Sequence, residues 1–156
     1  MRYSETIAKS IETYLREQDW EFTFDEIGGV FTVEADLSCK LGAALVVYQV
    51  MENSFLCYTT IGEEAPAEMK ASVAEYLHRA NYGLPRGNFE FDYDEGSIHF
   101  KTFFDCPGGV PTAKQLEDSI AIGLTVFDHY GDGLHELLQG GSLARRLILK
   151  AEEQEG

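Results

Sequence analysis

The chain has 156 residues, of which 44% are apolar and 12% aromatic, and this suits one folded domain with its own hydrophobic core rather than a disordered chain. Its 12 Lys and Arg residues and 27 Asp and Glu residues give a formal net charge of −15. A field of that sign repels phosphate backbones and anionic lipid surfaces, so we expect neither nucleic acid nor a membrane as a partner.

A helix and four strands are predicted for residues 3–61. Apolar side chains recur at helical spacing over residues 3–15, and the pattern then changes to strict alternation. Strands are predicted around 20–24, 31–37, 42–51 and 54–61, with short connections between them. Four consecutive strands joined in this way indicate an antiparallel meander.

The third predicted strand is apolar on both of its faces. Leu45 and Val47 lie on one face, whereas Val46, Tyr48 and Val50 lie on the other. A strand with this pattern is central in its sheet and is covered, or lies at an interface.

A second helix and a hairpin follow. Pro66 suits the first position of a helix, and Gly83 marks its end. Aromatic and acidic residues then alternate over 89–93, a turn occupies 94–96, and the chain returns over 97–104. This pattern predicts two antiparallel strands.

The third helix is predicted to begin at Thr112, where the sequence fits a capping box. It has no charged residue from 119 to 127 and is apolar all round there, so it must be covered on more than one side. Gly131 and Gly133 are expected to weaken its later half. A short terminal helix is predicted from Ser142.

One polar cluster is a candidate for metal binding or catalysis. Asp128, Asp132 and His135 share a face of the third helix, and carboxylates with an imidazole at this spacing could hold a divalent metal. The same pattern is typical of a solvated helix face, and a metal site would need further ligands from another element or subunit. The sequence contains no phosphate-binding loop, nucleophile elbow or HExxH motif, so we expect a non-catalytic protein without a cofactor.

The cysteines and the apolar runs indicate a cytoplasmic protein. Cys39, Cys57 and Cys106 are an odd number at wide spacings, which is typical of reduced thiols. The apolar run at 41–51 is shorter than the ~20 residues that a spanning helix needs. Residues 1–5 lead directly into a charged helix without an apolar signal core.

The element order and three short segments carry a family resemblance. The segments are NYGLP at 81–85, GNFEFD at 87–92, and IHF at 98–100, with a DEG turn at 94–96 before the last of them. In these features the chain resembles the YbjN-like family of bacterial proteins, which are labelled sensory-transduction regulators. That family looks like the type III secretion chaperone fold, a small acidic α+β dimer that binds segments of other proteins, and the resemblance implies the same architecture here.

The predicted fold is therefore α+β, with an antiparallel sheet in the order α-ββββ-α-ββ-α and with helices packed mainly on one face. We expect a single domain over 1–141, followed by a short C-terminal helix and an acidic tail over 142–156.

The leading functional hypothesis is a homodimeric protein-binding module of regulatory or chaperone-like type. A monomer of this size has too few elements to cover both the third strand and the third helix, so a second copy or another protein is expected to cover them. The interface candidates are Leu45, Val46, Tyr48, Ile122 and Val126.

Two alternatives remain at this stage. The first is an enzyme or metal-binding protein that uses the Asp128, Asp132 and His135 cluster. The second is a small-ligand sensor with an aromatic pocket between the third helix and the sheet.

Overall fold

The structure, a computed structural model, describes residues 2–140 and 143–153. Within these ranges it has one six-stranded antiparallel sheet and four α-helices, which confirms the predicted class and element order. The helices are α1 (Glu5–Glu17), α2 (Lys70–Tyr82), α3 (Ala113–Leu138) and α4 (Ala144–Glu153). The strands are β1 (Phe22–Asp25), β2 (Val30–Asp36), β3 (Ala43–Val50), β4 (Ser54–Thr60), β5 (Asn88–Phe91) and β6 (Ile98–Asp105).

Parts of the C-terminal prediction fall outside the described residues. These are the domain limit between residues 141 and 142, the helix start at Ser142, and the last three residues of the acidic tail, 154–156. The described part of α4 packs on α2 and α3 through Ala144, Leu147, Ile148 and Ala151.

The helix ends follow local signals. Thr112 and Gln115 form the predicted capping box, in which each side chain accepts a hydrogen bond from the other residue's backbone N–H at 3.1 and 3.0 Å. Gly83 follows the last residue of α2, also as predicted. The start of α2 differs from the prediction, because Pro66 is extended and a 3₁₀ turn at Ala67–Met69 precedes the α-helix.

The sheet has the strand order β1-β2-β3-β4-β6-β5, in which β1 to β4 form the predicted meander. Successive strand residues point to opposite faces, so the buried and exposed sets alternate. The buried side chains of β3 are Ala44, Val46, Tyr48 and Val50. They lie on the face that carries the helices, whereas the opposite face is open.

Two hydrophobic clusters lie between the helices and this face. The first joins α1 to β2, β3 and β4 around Ile11, Phe31 and Tyr48. The second joins α2, α3 and α4 to β5 and β6 around Phe89 and Phe127, whose ring centroids are 5.3 Å apart. A fully buried apolar side chain stabilises by about 1.5–3 kcal/mol, so these clusters hold the helices on one side of the sheet.

Glycine lets α3 approach its neighbours closely. A Cβ atom at Gly123 would overlap the side chain of Thr59 on β4, and Gly131 and Gly133 lie similarly close to side chains of the β2–β3 loop and of α2. The helix is continuous to Leu138, so Gly131 and Gly133, which are expected to weaken its later half, do not end it. Packing against these neighbours outweighs the lower helix propensity of glycine.

Buried hydroxyl groups add polar contacts to α3. The hydroxyls of Tyr48 and Ser119 are 2.7 Å apart, and the hydroxyl of Tyr76 donates to the carbonyl of Tyr130 at 2.6 Å. Burial raises the pKa of both Tyr48 and Tyr76, which keeps these groups neutral and able to donate. The hydrogen bonds therefore join α3 to β3 and to α2.

Asn81 of α2 binds the backbone of the edge strand β5. Its Nδ2 donates to the carbonyl of Phe89 at 3.1 Å, and the N–H of Phe89 donates to its Oδ1 at 2.7 Å. The N–H and C=O of one strand residue point to the same side, so these two groups face away from β6.

We expect Gly123→Ala to lower the free energy of unfolding by about 1–3 kcal/mol, because the new methyl group overlaps Thr59 in a packed core. Urea denaturation measures the change. Thr125→Ala, on the exposed side of the same helix, should stay within about 0.5 kcal/mol of the wild type. An increase in stability for Gly123→Ala would contradict the close approach of α3 to β4.

Candidate functional site

The open face of the sheet has an apolar centre. Val47 of β3 pairs with Tyr58 of β4, and Leu56 of β4 pairs with Phe103 of β6. Phe103 is 57% exposed, and Val47, Leu56 and Tyr58 are half-buried. Leu45 of β3 lies on the same face and is 39% exposed. Large apolar side chains that lie together on one surface are typical of an association site.

Three cross-strand rows make up this face. Each row runs through β2, β3, β4 and β6, and its members are fixed by the strand register. In that order the rows are Val30–Gln49–Leu56–Phe103, Thr32–Val47–Tyr58–Lys101 and Glu34–Leu45–Thr60–His99.

The charged groups lie at the two margins of the face. At the β2 margin, Glu34 and Asp36 make no ion pair within the described ranges, and they line a groove of about 800 Å³ beside Trp20. At the β6 margin, Glu90 of β5 lies beside His99 and Lys101. The centre between the margins contains no charge.

The β6 margin is a hydrogen-bonded cluster that contains the ion pair between Lys101 and Glu90. His99 Nε2 and Lys101 Nζ each lie 2.7 Å from a different carboxylate oxygen of Glu90. The hydrogen bond from Lys101 holds the pKa of Glu90 below its usual value, and Glu90 in turn raises the pKa of Lys101. The sequence did not reveal this cluster, because its members are brought together by the register of β5 and β6.

The predicted interface residues fall on different surfaces. Leu45 lies on the open face. Val46 and Tyr48 are fully buried under the helices, so their side chains do not reach a partner. Ile122 and Val126 are partly buried and pack against the hydrophobic clusters within the chain. The apolar surface of α3 is therefore covered mainly by its own sheet and helices.

Sequence reasoning missed Leu56, Tyr58 and Phe103 as members of the open face. The signal was present, because they alternate with Phe55, Cys57 and other residues of the covered face. What the alternation does not say is which set the helices bury.

Asp128 and Asp132 hold the loop between β2 and β3. The backbone N–H groups of Ser38 and Cys39 donate to Asp128 Oδ1 at 2.7 and 3.2 Å, and that of Lys40 donates to Asp132 Oδ1 at 2.8 Å. Two carboxylates on one helix thus satisfy three backbone donors of a distant loop.

His135 lies farther along α3 and has a different neighbour. Its Nδ1 is 3.5 Å from Glu63 Oε1. Across residues 2–140 and 143–153, no three His, Cys, Asp or Glu side chains are grouped so that they could hold a metal ion. The carboxylates of Asp128 and Asp132 therefore act as loop anchors.

The space between α3 and the sheet, where the sequence placed a ligand pocket, is filled by packed rings. Phe89 makes edge-to-face contacts with Phe100 and Phe127, with centroids 5.1 and 5.3 Å apart.

None of the helices in the described ranges combines the length and apolarity needed to cross a bilayer.

These features define a class: an α+β protein with helices on one face of a single antiparallel sheet and an apolar centre on the other. Within that class, the chain belongs to the YbjN family, whose model, described as "Putative bacterial sensory transduction regulator", matches residues 8–136. The family description names a regulator and no enzymatic reaction.

A solved structure supports the same fold. It is described as "Crystal structure of YbjN, a putative transcription regulator from E. coli", and it aligns with 94% of this chain and 92% of that chain, with a TM-score of 0.56 and 8% identity. At this identity the likeness concerns the fold alone. No curated protein matches the sequence at a significant level.

We expect Asp128→Ala to lower the free energy of unfolding by about 1 kcal/mol, because two backbone N–H groups lose their acceptor. EDTA, Zn²⁺ and Mn²⁺ should leave the melting temperature of the wild type unchanged, as measured by thermal unfolding. Glu117→Ala removes an exposed acid of the same helix and is the stability control for Asp128→Ala. A metal-induced rise of the melting temperature that His135→Ala abolishes would contradict the role of loop anchor.

Glu90 should contribute to the pH dependence of stability. Because its pKa is lower in the folded protein, the stabilisation is present above the unfolded pKa and is lost as the pH falls through the folded pKa. Glu90→Gln should therefore be less stable near pH 6, and its difference from the wild type should shrink as the pH falls through the folded pKa of Glu90. The side chain is 38% exposed, so we expect a difference below about 1 kcal/mol in urea denaturation. An equal loss of stability on acidification in both proteins would contradict this assignment, and Glu95→Gln, in the neighbouring turn, is the control.

Proposed function

We propose that this protein is a non-catalytic regulatory module that forms a homodimer through the open face of its sheet and binds other polypeptides. The observation that carries the proposal is the uncharged apolar centre of that face in a chain whose net charge is −15. Like charges oppose association at long range, so a contact between two copies has to be apolar at its centre.

The three rows support a self-complementary contact. A two-fold axis that runs parallel to the strands, between β3 and β4, would place each row against the same row of the second copy, with the strands in the opposite order. Val47 would then face Tyr58 of the second copy, and Val30 would face Phe103 of the second copy. A two-fold interface requires one patch that complements itself in this way.

The same operation pairs the charged margins. Glu34 would approach His99 of the second copy, and Lys101 lies in the neighbouring row. The acidic margin of one copy thus meets the margin of the other that carries Lys101 and His99 together with the Glu90 carboxylate that they bind. Electrostatic complementarity at a rim fixes the orientation of a contact and does little for its affinity.

The size of the face is sufficient for a small dimer interface. Four strands cover a width of about 19 Å, and seven residues cover a length of about 24 Å. The side chains on such a face, together with the flanking strands and loops, bury an area at the lower end of specific interfaces.

The family and the cysteines support the remaining parts of the proposal. The description of the family supports regulation. Protein binding rests on the resemblance to type III secretion chaperones that the element order and acidity of the sequence indicate, and it is an analogy. Cys39, Cys57 and Cys106 are free thiols, which fits a protein of the cytoplasm.

We expect a homodimer in sedimentation equilibrium at micromolar concentration. Val47→Asp should weaken it by about 100-fold or more, because each copy would bury a carboxylate at the apolar centre. Val110→Asp, at an exposed position outside the sheet, should leave the dimer intact. Thermal unfolding of each variant confirms that it is folded.

A wild-type monomer would remove the proposed interface. Dissociation of the dimer by Val126→Asp but not by Val47→Asp would place the contact on α3 and contradict the assignment to the sheet.

A further inference from the structure

A second exposed apolar surface lies on the helix side of the protein, between α2 and α4. Tyr82 at the end of α2 is 96% exposed, and Leu149 of α4 is 51% exposed. Together with Arg79 and Arg145 they line a cleft of about 600 Å³, which we name the α2–α4 cleft. It lies away from the open face of the sheet, because α4 packs on α2 and α3.

The cleft and its border carry a small positive excess in a strongly acidic chain, with four cations against the three carboxylates Glu75, Glu152 and Glu153. Arg79, Arg145, Arg146 and Lys150 lie in it or beside it, and they are four of the chain's 12 Lys and Arg residues. Arginine next to exposed aromatic and apolar side chains is the composition of interface hot spots.

Two of these carboxylates accept hydrogen bonds within the chain. Glu75 accepts a hydrogen bond from Arg79 Nε at 2.7 Å, and Glu152 accepts one from the hydroxyl of Tyr130 at 3.3 Å. Arg145 and Arg146, in contrast, have no carboxylate partner among residues 2–140 and 143–153. Two guanidinium groups are thus left available to an external anion.

We propose that the α2–α4 cleft binds an acidic segment of a partner protein that also carries an apolar side chain. The apolar side chain packs between Tyr82 and Leu149, and carboxylates of the segment pair with Arg145 and Arg146. Guanidinium groups bind carboxylates through two parallel hydrogen bonds, which makes such pairs directional. The inference rests on the proposed protein-binding role and names the surface and the chemistry of the partner.

The net charge favours a short acidic segment over an extended polyanion. At physiological salt the screening length is about 8 Å, so a ligand confined to the cleft is attracted by the nearby cations more than it is repelled by distant acids. A nucleic acid or an anionic membrane covers a larger area and meets the remaining negative surface of a chain with a net charge of −15.

Fluorescence anisotropy with two labelled peptides tests the inference. The first is an amphipathic 12-residue peptide of Glu and Leu, and the second has Gln in place of each Glu. We expect the Glu peptide to bind the wild type, and the Gln peptide to bind about tenfold more weakly. The double variant Arg145→Gln/Arg146→Gln should weaken binding of the Glu peptide about tenfold, and Tyr82→Ala should weaken binding of both peptides.

The control is Lys9→Gln/Arg16→Gln on α1, which removes the same number of positive charges far from the cleft. It should bind the Glu peptide like the wild type. An equal loss in this control would show that net charge alone governs binding, and it would overturn the inference. Equal affinity for a single-stranded oligonucleotide of the same charge, or no binding of the Glu peptide by the wild type, would also overturn it.

Sedimentation of the same samples separates this inference from the proposed dimer. A wild type that is dimeric but does not bind the Glu peptide contradicts the cleft alone. A monomeric wild type that binds the peptide contradicts the dimer alone. Val47→Asp should retain peptide binding, because the cleft and the open face are different surfaces.

Discussion

All four helices of the described ranges lie on the same side of a single sheet, and this arrangement constrains the rest of the fold. The covered side chains of the central strands are buried only if a helix approaches them closely. α3 does so at Gly123, where the helix backbone lies against Thr59 without an intervening side chain. Once α3 is in that position, α1 packs on one part of the same face and α2 on the other, and α4 packs on α2 and α3. The buried hydroxyl of Ser119 then meets Tyr48 and fixes the helix along its axis.

The same arrangement gives the two faces of the sheet different chemistry. The covered face is mainly aromatic and aliphatic from β2 to β6, and Thr59 and Thr102 are buried polar residues on it. The open face combines an apolar centre with charges that are confined to its margins. Sheets of this kind with one solvated face usually alternate clearly between apolar and polar residues. Val47, Leu56 and Phe103 depart from that alternation, and the departure is informative because it concerns neighbours in space rather than scattered positions.

Local patterns in the sequence predicted most of the fold. The alternation of Phe31 and Val33 identified a strand and its buried side, and the Thr112 capping box identified the start of α3, because both depend on neighbours within a few residues. The partners of Asp128 were not predictable in this way, since Ser38 and Cys39 lie about ninety residues away in the chain. A carboxylate that binds a distant loop has the same sequence pattern as one that faces water.

The candidate site was predictable only in part for a related reason. Two-sided apolarity correctly marked β3 as a central strand, but it does not say which of its faces the helices cover. The pattern therefore groups Leu45 with Val46 and Tyr48, although Leu45 lies on the other face of the strand. Which sides of α3 are covered also depends on where α1, α2 and α4 pack. The residues of α3 do not specify this.

The hydrogen bonds between Asn81 and Phe89 have a consequence for how chains meet. A free strand edge is a template for the backbone of another molecule, and uncontrolled pairing there leads to aggregates. The amide of Asn81 occupies the outward N–H and C=O of Phe89 in the way that a neighbouring strand would, so β5 is closed to strand addition at its middle. The opposite edge, β1, offers only four residues. A sheet whose β5 edge is protected and whose β1 edge is short resists extension by further chains into a fibre. This protection does not depend on the net charge, so added salt does not remove it.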